Sequence, residues 1–188
     1  LIIVLEGVNG VGKSTYARLL QERLGYTPLR AFRPSSDCHF NGKYKVERDL
    51  QAFNVPYNTH VDDLYVADIL GKLKPSNVVL DRSMASAVAY GSRPISDAGE
   101  LVRLWAGLFG RTPVLYVWLT ADPNTSLKRV VARGDASPSL SILKALHGSF
   151  ELVYELVPFF KDAIDTDVTR PEDGVSRIEL LASMYEAR

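Results

Sequence analysis

The segment Gly7-Val8-Asn9-Gly10-Val11-Gly12-Lys13-Ser14 fits the spacing G-x-x-x-x-G-K-[ST], and each residue type in it has a chemical reason. Glycines let successive backbone N–H groups curl around a β-phosphate with no Cβ in the way. A helix starting near Lys13 aims its positive end at the same phosphate. The Lys13 ammonium is then placed to bridge β- and γ-phosphates, the Ser14 hydroxyl to ligate Mg²⁺, and Thr15 to support the α-phosphate. ATP with Mg²⁺ is the expected ligand, with Gly7, Asn9, Gly10, Val11, Gly12, Lys13, Ser14 and Thr15 as its contact set. Read blandly, the string is a glycine turn between a strand and a helix. The apolar run before it and the helical pattern after it supply the context that the phosphate reading requires.

Two further patterns bear on the same chemistry. Val78-Val79-Leu80-Asp81-Arg82-Ser83 ends a buried run in a carboxylate, which can reach Mg²⁺ or its waters; the plain alternative is an aspartate capping the next helix. Arg129 and Arg133 stand four apart in 127–134 and share one helix face. They are either solvated surface charge or part of a short lid around 129–145 that brings a cation to a phosphoryl group in transfer. His39, His60 and His147 have no metal spacing with each other or with Cys38. Glu6 is expected to order the loop backbone, and Trp105 and Trp118 to pack in the core.

The elements that must hold these residues alternate. Residues 1–5 form a branched apolar run, as in strands buried on both faces. Residues 13–24 read as a helix, with Tyr16, Leu20 and Leu24 on one face and Gly25 as its stop. Strands are expected at 28–32, 77–80, 113–119 and 163–168. Helices are expected at 45–53, 61–73, 96–109, 142–158 and 171–186, and one more starts at Asp122-Pro123 and closes at Gly134. Such alternation implies βαβ units and a parallel sheet, hence an α/β fold.

The chain has 188 residues, which fits one domain over 1–188. Its 46% hydrophobic content and balanced charge, 22 basic against 22 acidic residues, exclude intrinsic disorder. Zero net charge counts mildly against DNA as a partner. One cysteine excludes a disulfide scaffold and fits a reducing compartment. No apolar stretch approaches the ~18–20 residues of a membrane span. The opening apolar run ends at Glu6, too short for a secretion signal. A cytoplasmic location is expected. The first residue is not Met, as after trimming or renumbering.

Together these residues resemble the thymidylate kinase and deoxynucleoside kinase superfamily. The stretch from Leu5 to Thr15 looks like the thymidylate kinase opening, F-E-G-x-D-G-x-G-K-S-T. Residues 80–90 resemble L-D-R-Y-x-x-S-x-x-A-Y, and 116–134 resemble the strand, D-P turn and L-x-R-x-x-x-R-G of that family. Residues 64–68 resemble L-F-A-x-D, with Tyr65 in the place of an aromatic that stacks on thymine. Residues 150–157 resemble a helix carrying a substrate-side tyrosine, here Tyr154. The resemblance implies a three-layer P-loop kinase fold with roughly five parallel strands. It also implies Arg82 in an acceptor pocket with Arg33, Tyr65, Ser86 and Tyr154, the loop 168–173 beside the adenine, and a possible homodimer through 96–109.

The chain departs from the pattern on the acceptor side. The loop aspartate is Asn9, the arginine expected after Asp68 is Ile69, and D-R-Y has become Asp81-Arg82-Ser83, nearer to deoxynucleoside kinases. The acidic residue expected after the second strand is missing, with Asp37 nearby as a substitute. A monophosphate acceptor needs cations, and Arg82 and Arg33 can supply them. A nucleoside hydroxyl needs a base, and Asp37 can serve. The monophosphate, thymidylate-like reading stands ahead because the rest of the chain resembles that branch. A nucleoside kinase, a kinase of a 5-hydroxymethyl pyrimidine (free or in DNA), and an ATP-binding paralogue without activity stay open.

Overall fold

Strand β1 (Ile2–Glu6) forms from a run in which every side chain is apolar until the last, and all five residues are buried. A computed structural model describes residues 1–30, 77–90, 113–134, 138–156 and 160–186. The expected helices at 45–53, 61–73 and 96–109 lie outside the described residues, as do Arg33, Asp37 and Tyr65. Beside β1 lie β3 (Val78–Asp81) and β4 (Val114–Thr120), with β2 (Thr27–Arg30) and β5 (Phe160–Asp165) at the edges. The order is β2-β3-β1-β4-β5, and every pairing is parallel. This is the α/β architecture expected from the alternation of elements.

Helix α1 (Lys13–Leu24) follows the glycine loop, and α2 (Met84–Ala89) follows β3. Helices α3 (Pro123–Ala132), α4 (Leu140–Leu156) and α5 (Pro171–Glu186) complete the described set. Helix α1 packs on α5, while α4 packs on α2 and α3. Among the described residues no helix is long and apolar enough to cross a membrane.

Local signals set the element ends. Asp122 accepts from the Asn124 N–H at 2.8 Å and caps α3, with Pro123 in its first turn. Gly25 stops α1 in the left-handed region. On α1 the buried stripe is Lys13, Tyr16, Ala17 and Leu20; Leu24, expected inside, is 36% exposed because the chain turns away there. Helix α2 is capped by Ser83, which accepts from the Ala85 N–H, and not by Asp81.

Strand β5 begins three residues before the expected position. Its ladder with β4 pairs Tyr116 with Phe160 and Thr120 with Asp165, with an irregularity at Tyr116/Val117. Thr166 N–H donates to Thr120 just beyond the ladder, and Val168 is exposed. Asp162 hid the strand from an apolar pattern: it is buried mid-strand and ion-paired to Arg177 on α5.

The packing of α1 on α5 has a consequence at Gly174. A helical Gly→Ala change ordinarily stabilises by about 1 kcal/mol. Here a Cβ falls 2.2 Å from the Tyr16 hydroxyl oxygen and 2.7 Å from its ring, and Tyr16 is fully buried. Gly174→Ala is therefore expected to destabilise the protein by about 1–3 kcal/mol. A urea midpoint lowered at constant slope checks this, and a raised midpoint would contradict it.

Candidate functional site

The parallel strands present their carboxyl ends on one side. Between β1 and β4 the onward connections run in opposite directions, which opens a crevice beyond those ends. The loop 7–12 occupies it. Its backbone approaches its neighbours too closely for side chains. A Cβ on Gly7 (φ 135°) would sit 2.1 Å from the Leu119 carbonyl oxygen on β4, and one on Gly10 (φ 89°) 2.3 Å from that of Ser126 on α3. The loop is thus pressed against β4 and α3, with Val8 and Val11 buried beneath it.

Lys13 folds back over this loop. Its Nζ donates to the Gly7 carbonyl at 2.7 Å and the Val8 carbonyl at 2.8 Å. Burial pushes its pKa down to about 7; Arg82 and Arg133 push the same way, against Asp81 and Glu6. Ser14 and Thr15 stand exposed on the first turn of α1, beside Lys13. Asp81 pairs in register with Leu5, so its carboxylate closes β3 beside the root of the loop.

Arg82 sits next to it at φ 85°, a conformation that costs a non-glycine residue ~1–2 kcal/mol. Its own N–H donates to the Leu5 carbonyl at 3.0 Å. Its guanidinium donates to Asn9 Oδ1 (2.5 Å), Ser86 Oγ (3.1 Å) and the Gly7 carbonyl (3.3 Å), and lies over the Tyr90 ring. Arg82 is therefore bonded to the glycine loop at two points.

Glu6 is fully buried, and its role differs from the one expected. Its carboxylate does not bond the loop backbone. It accepts from the Ser83 and Ser86 hydroxyls, each at 2.5 Å. Burial raises its pKa, opposed by those two hydroxyls and by Arg82 and Lys13. Tyr116 lies near the same cluster, and burial pushes its phenol up.

The two arginines of α3 have different surroundings. Arg129 donates to Thr166 Oγ1 (2.9 Å), the Thr166 carbonyl (3.1 Å), Asp167 (3.1 Å) and the Gly10 carbonyl (3.4 Å). It straps the turn after β5 to the glycine loop, and Asp167 also receives the Asp122 N–H at 2.6 Å. Arg133 ends α3 on the surface, close enough for its charge to act on Lys13.

Tyr154 on α4 lies against Trp118, ring centres 5.0 Å apart. Trp118 is nearly buried, as its apolar context suggests, and also meets His147, which shares a hydrogen bond with Thr120. Thr166 and Asp167 carry no signal in the sequence, because their partners Arg129 and Asp122 are far away along the chain. The signals for Glu6 are a lone carboxylate closing an otherwise apolar strand and its place in the resembled F-E-G opening.

Comparison with known proteins bears on the family and the fold. A family described as AAA domain matches residues 3–141. The chain is 30% identical to a thymidylate kinase of Akkermansia muciniphila over 97% of this chain and 91% of that protein. It is 31% identical to a thymidylate kinase of Xanthomonas oryzae pv. oryzae over 72% of this chain, a match spanning 63% of that longer relative. Among solved structures, the YorR protein of Bacillus subtilis, in complex with phosphorylated GDP, superposes with a TM-score of 0.67 at 19% identity, covering 100% and 99% of the two chains. Deoxyadenosine kinase from M. mycoides with bound dATP gives 0.61 at 17% identity, covering 99% and 100%.

The depressed Lys13 has a measurable signature. Lysine takes its ordinary value of 10.5 when unfolded and about 7 in the fold. Between those values the unfolded chain holds more protons, so stability of the ligand-free protein rises with pH across the window and levels off above it. Lys13→Met is expected to remove that rise. Urea unfolding from pH 6.5 to 10 checks it, and parallel curves for the two proteins would contradict the assignment.

Proposed function

This chain belongs to the thymidylate kinase family, and within that phosphotransferase class we propose that it transfers the γ-phosphoryl group of ATP to a deoxynucleoside monophosphate of the thymidylate type. The observation that carries this reading is Arg82, a cation bonded to Asn9 and Gly7 of the phosphate loop. A monophosphate brings its own anionic nucleophile and asks the protein for positive charge beside the donor phosphates.

The residues fit the donor nucleotide. The loop's close approach to β4 and α3 leaves a cradle that any Cβ at Gly7 or Gly10 would disrupt. Lys13 exchanges its two carbonyl partners for β- and γ-phosphate oxygens. Ser14 and Asp81 form a hard, oxygen-only donor set of the kind that holds a hydrated Mg²⁺ carried by phosphates. Bound there, Mg²⁺ neutralises charge that develops on the phosphate oxygens. Arg129 keeps the turn after β5 against the loop, and Arg133 stands on the same helix to face the transferring group. Ser86 supports Arg82 on the acceptor side, where Arg33, Tyr65 and Tyr154 complete the proposed pocket.

A second reading, transfer to a nucleoside hydroxyl, is supported by Ser83, which follows Arg82 as in deoxynucleoside kinases and caps α2. In that case Asp37 acts as the base.

The decisive assay follows ATP-dependent product formation over thymidine, thymidylate, the other deoxynucleotides and 5-hydroxymethyl pyrimidines. Thymidylate is expected to give the highest kcat/KM, and preference for a nucleoside would transfer the assignment to the second reading. Lys13→Ala is expected to lower turnover by at least ~10²-fold, corresponding to ~3 kcal/mol of transition-state stabilisation, with the fold retained. Asp37→Asn is expected to be mild with a monophosphate and to abolish transfer to a hydroxyl. Turnover unchanged in Lys13→Ala would remove the scheme.

A further inference from the structure

Glu6 has no part in the scheme above. It is nonetheless a fully buried carboxylate, an expensive group to desolvate, one residue ahead of the phosphate loop. An apolar residue would continue β1 at lower cost. From the bonds that Glu6 makes, we infer that it is a positioning residue: it fixes Arg82 against the phosphate loop through Ser86 and thereby couples the donor half of the site to the acceptor half. The inference rests on the proposed role of Arg82 toward an acceptor.

The geometry gives the coupling a direction. A carboxylate can only accept. The Ser86 hydroxyl has one hydrogen, and it is committed to Glu6 at 2.5 Å. A Ser86 lone pair is thereby left facing Arg82 Nη1, which donates to it at 3.1 Å. The other Glu6 oxygen holds Ser83, which caps the helix carrying Ser86. Arg82 itself is held at φ 85° by its N–H bond to Leu5, the neighbour of Glu6 in sequence. A strained backbone persists where its surroundings over-determine it, and here strand, cap and carboxylate all converge on one residue.

Charge points the same way. Lys13 and Arg82 both act on Glu6, and Asp81 faces both cations. Replacing the carboxylate with an amide keeps the shape but supplies donors, so Ser86 is no longer obliged to turn a lone pair toward Arg82.

The test measures kcat and both KM values, together with thermal midpoints, for wild type, Glu6→Gln, Ser86→Ala and the double variant. The acceptor is whichever compound the wild type uses best. Glu6→Gln and Ser86→Ala are each expected to lower kcat/KM for the acceptor by about tenfold or more while the KM for ATP changes by less than about threefold. The double variant is expected to be no worse than the weaker single variant by more than about twofold, because both changes cut one path. Additive losses would overturn the inference. So would a fall in thermal midpoint with kinetics intact, the mark of a merely structural role. If Glu6→Gln does not fold, Ser86→Ala decides alone, and an acceptor KM unchanged in that variant overturns the coupling. A wild type that phosphorylates no acceptor refutes the proposed function, and the coupling with it; an active wild type with indifferent variants refutes the coupling only.

Discussion

Four charges share the carboxyl ends of two adjacent strands and the helix start beside them: Glu6 and Asp81, Lys13 and Arg82. The pairing of Leu5 with Asp81 makes this unavoidable, because it brings the residues following each strand side by side. Each charge is partly or wholly withdrawn from water, so its hydrogen-bond partners matter to its cost. Glu6 is stabilised by two hydroxyls, Lys13 by two carbonyls, and Arg82 by an amide, a hydroxyl and a carbonyl. Removing one partner leaves a buried charge uncompensated, which costs more than the pair itself contributes.

The same electrostatics bear on the proposed binding of a phosphate group. The pKa of Lys13 is driven down because burial and two neighbouring arginines outweigh two carboxylates. A phosphate group entering the loop reverses that balance, since it adds negative charge where the ammonium lacks it. Binding to the folded state alone then stabilises the fold by mass action. Phosphate affinity and the penalty carried by the ligand-free protein are two aspects of one electrostatic arrangement.

What was legible in the sequence was local. The phosphate loop, the Asp122-Pro123 start of α3 and the Gly25 stop of α1 each depend on conformations that a few neighbouring residues dictate. What was hidden depends on partners far along the chain. Strand β5 starts earlier than its pattern suggests because Asp162 interrupts the apolar run, and Asp162 is met by the Ala163 N–H and by Arg177, fifteen residues on. The strapping contacts of Arg129 are not visible in its spacing from Arg133, because its partners, Gly10, Thr166 and Asp167, lie 37 or more residues away. Glu6 is expected from its position to order the loop that follows it, and its actual partners, Ser83 and Ser86, come 77 and 80 residues later. Of the proposed acceptor residues, Arg33 and Asp37 fall in a stretch without a regular pattern and Tyr65 in the expected helix 61–73; all three lie outside the described residues.

The departure at Asn9 now has a physical meaning. Where the resembled pattern carries aspartate, this chain offers Arg82 an amide oxygen, which orients the guanidinium without cancelling its charge. An aspartate there would form an ion pair and spend part of the arginine's field within the protein. With asparagine, the charge of Arg82 is shared with Asp81 and Glu6 of its own cluster and with an incoming group. Ile69 removes one cation that the pattern expects, and Asn9 leaves the remaining one less neutralised. The two departures act in opposite directions on the same quantity, the net positive charge offered to the acceptor. This favours an anionic acceptor, whose own charge an arginine kept charged and oriented at the loop offsets in addition to that of the transferring group.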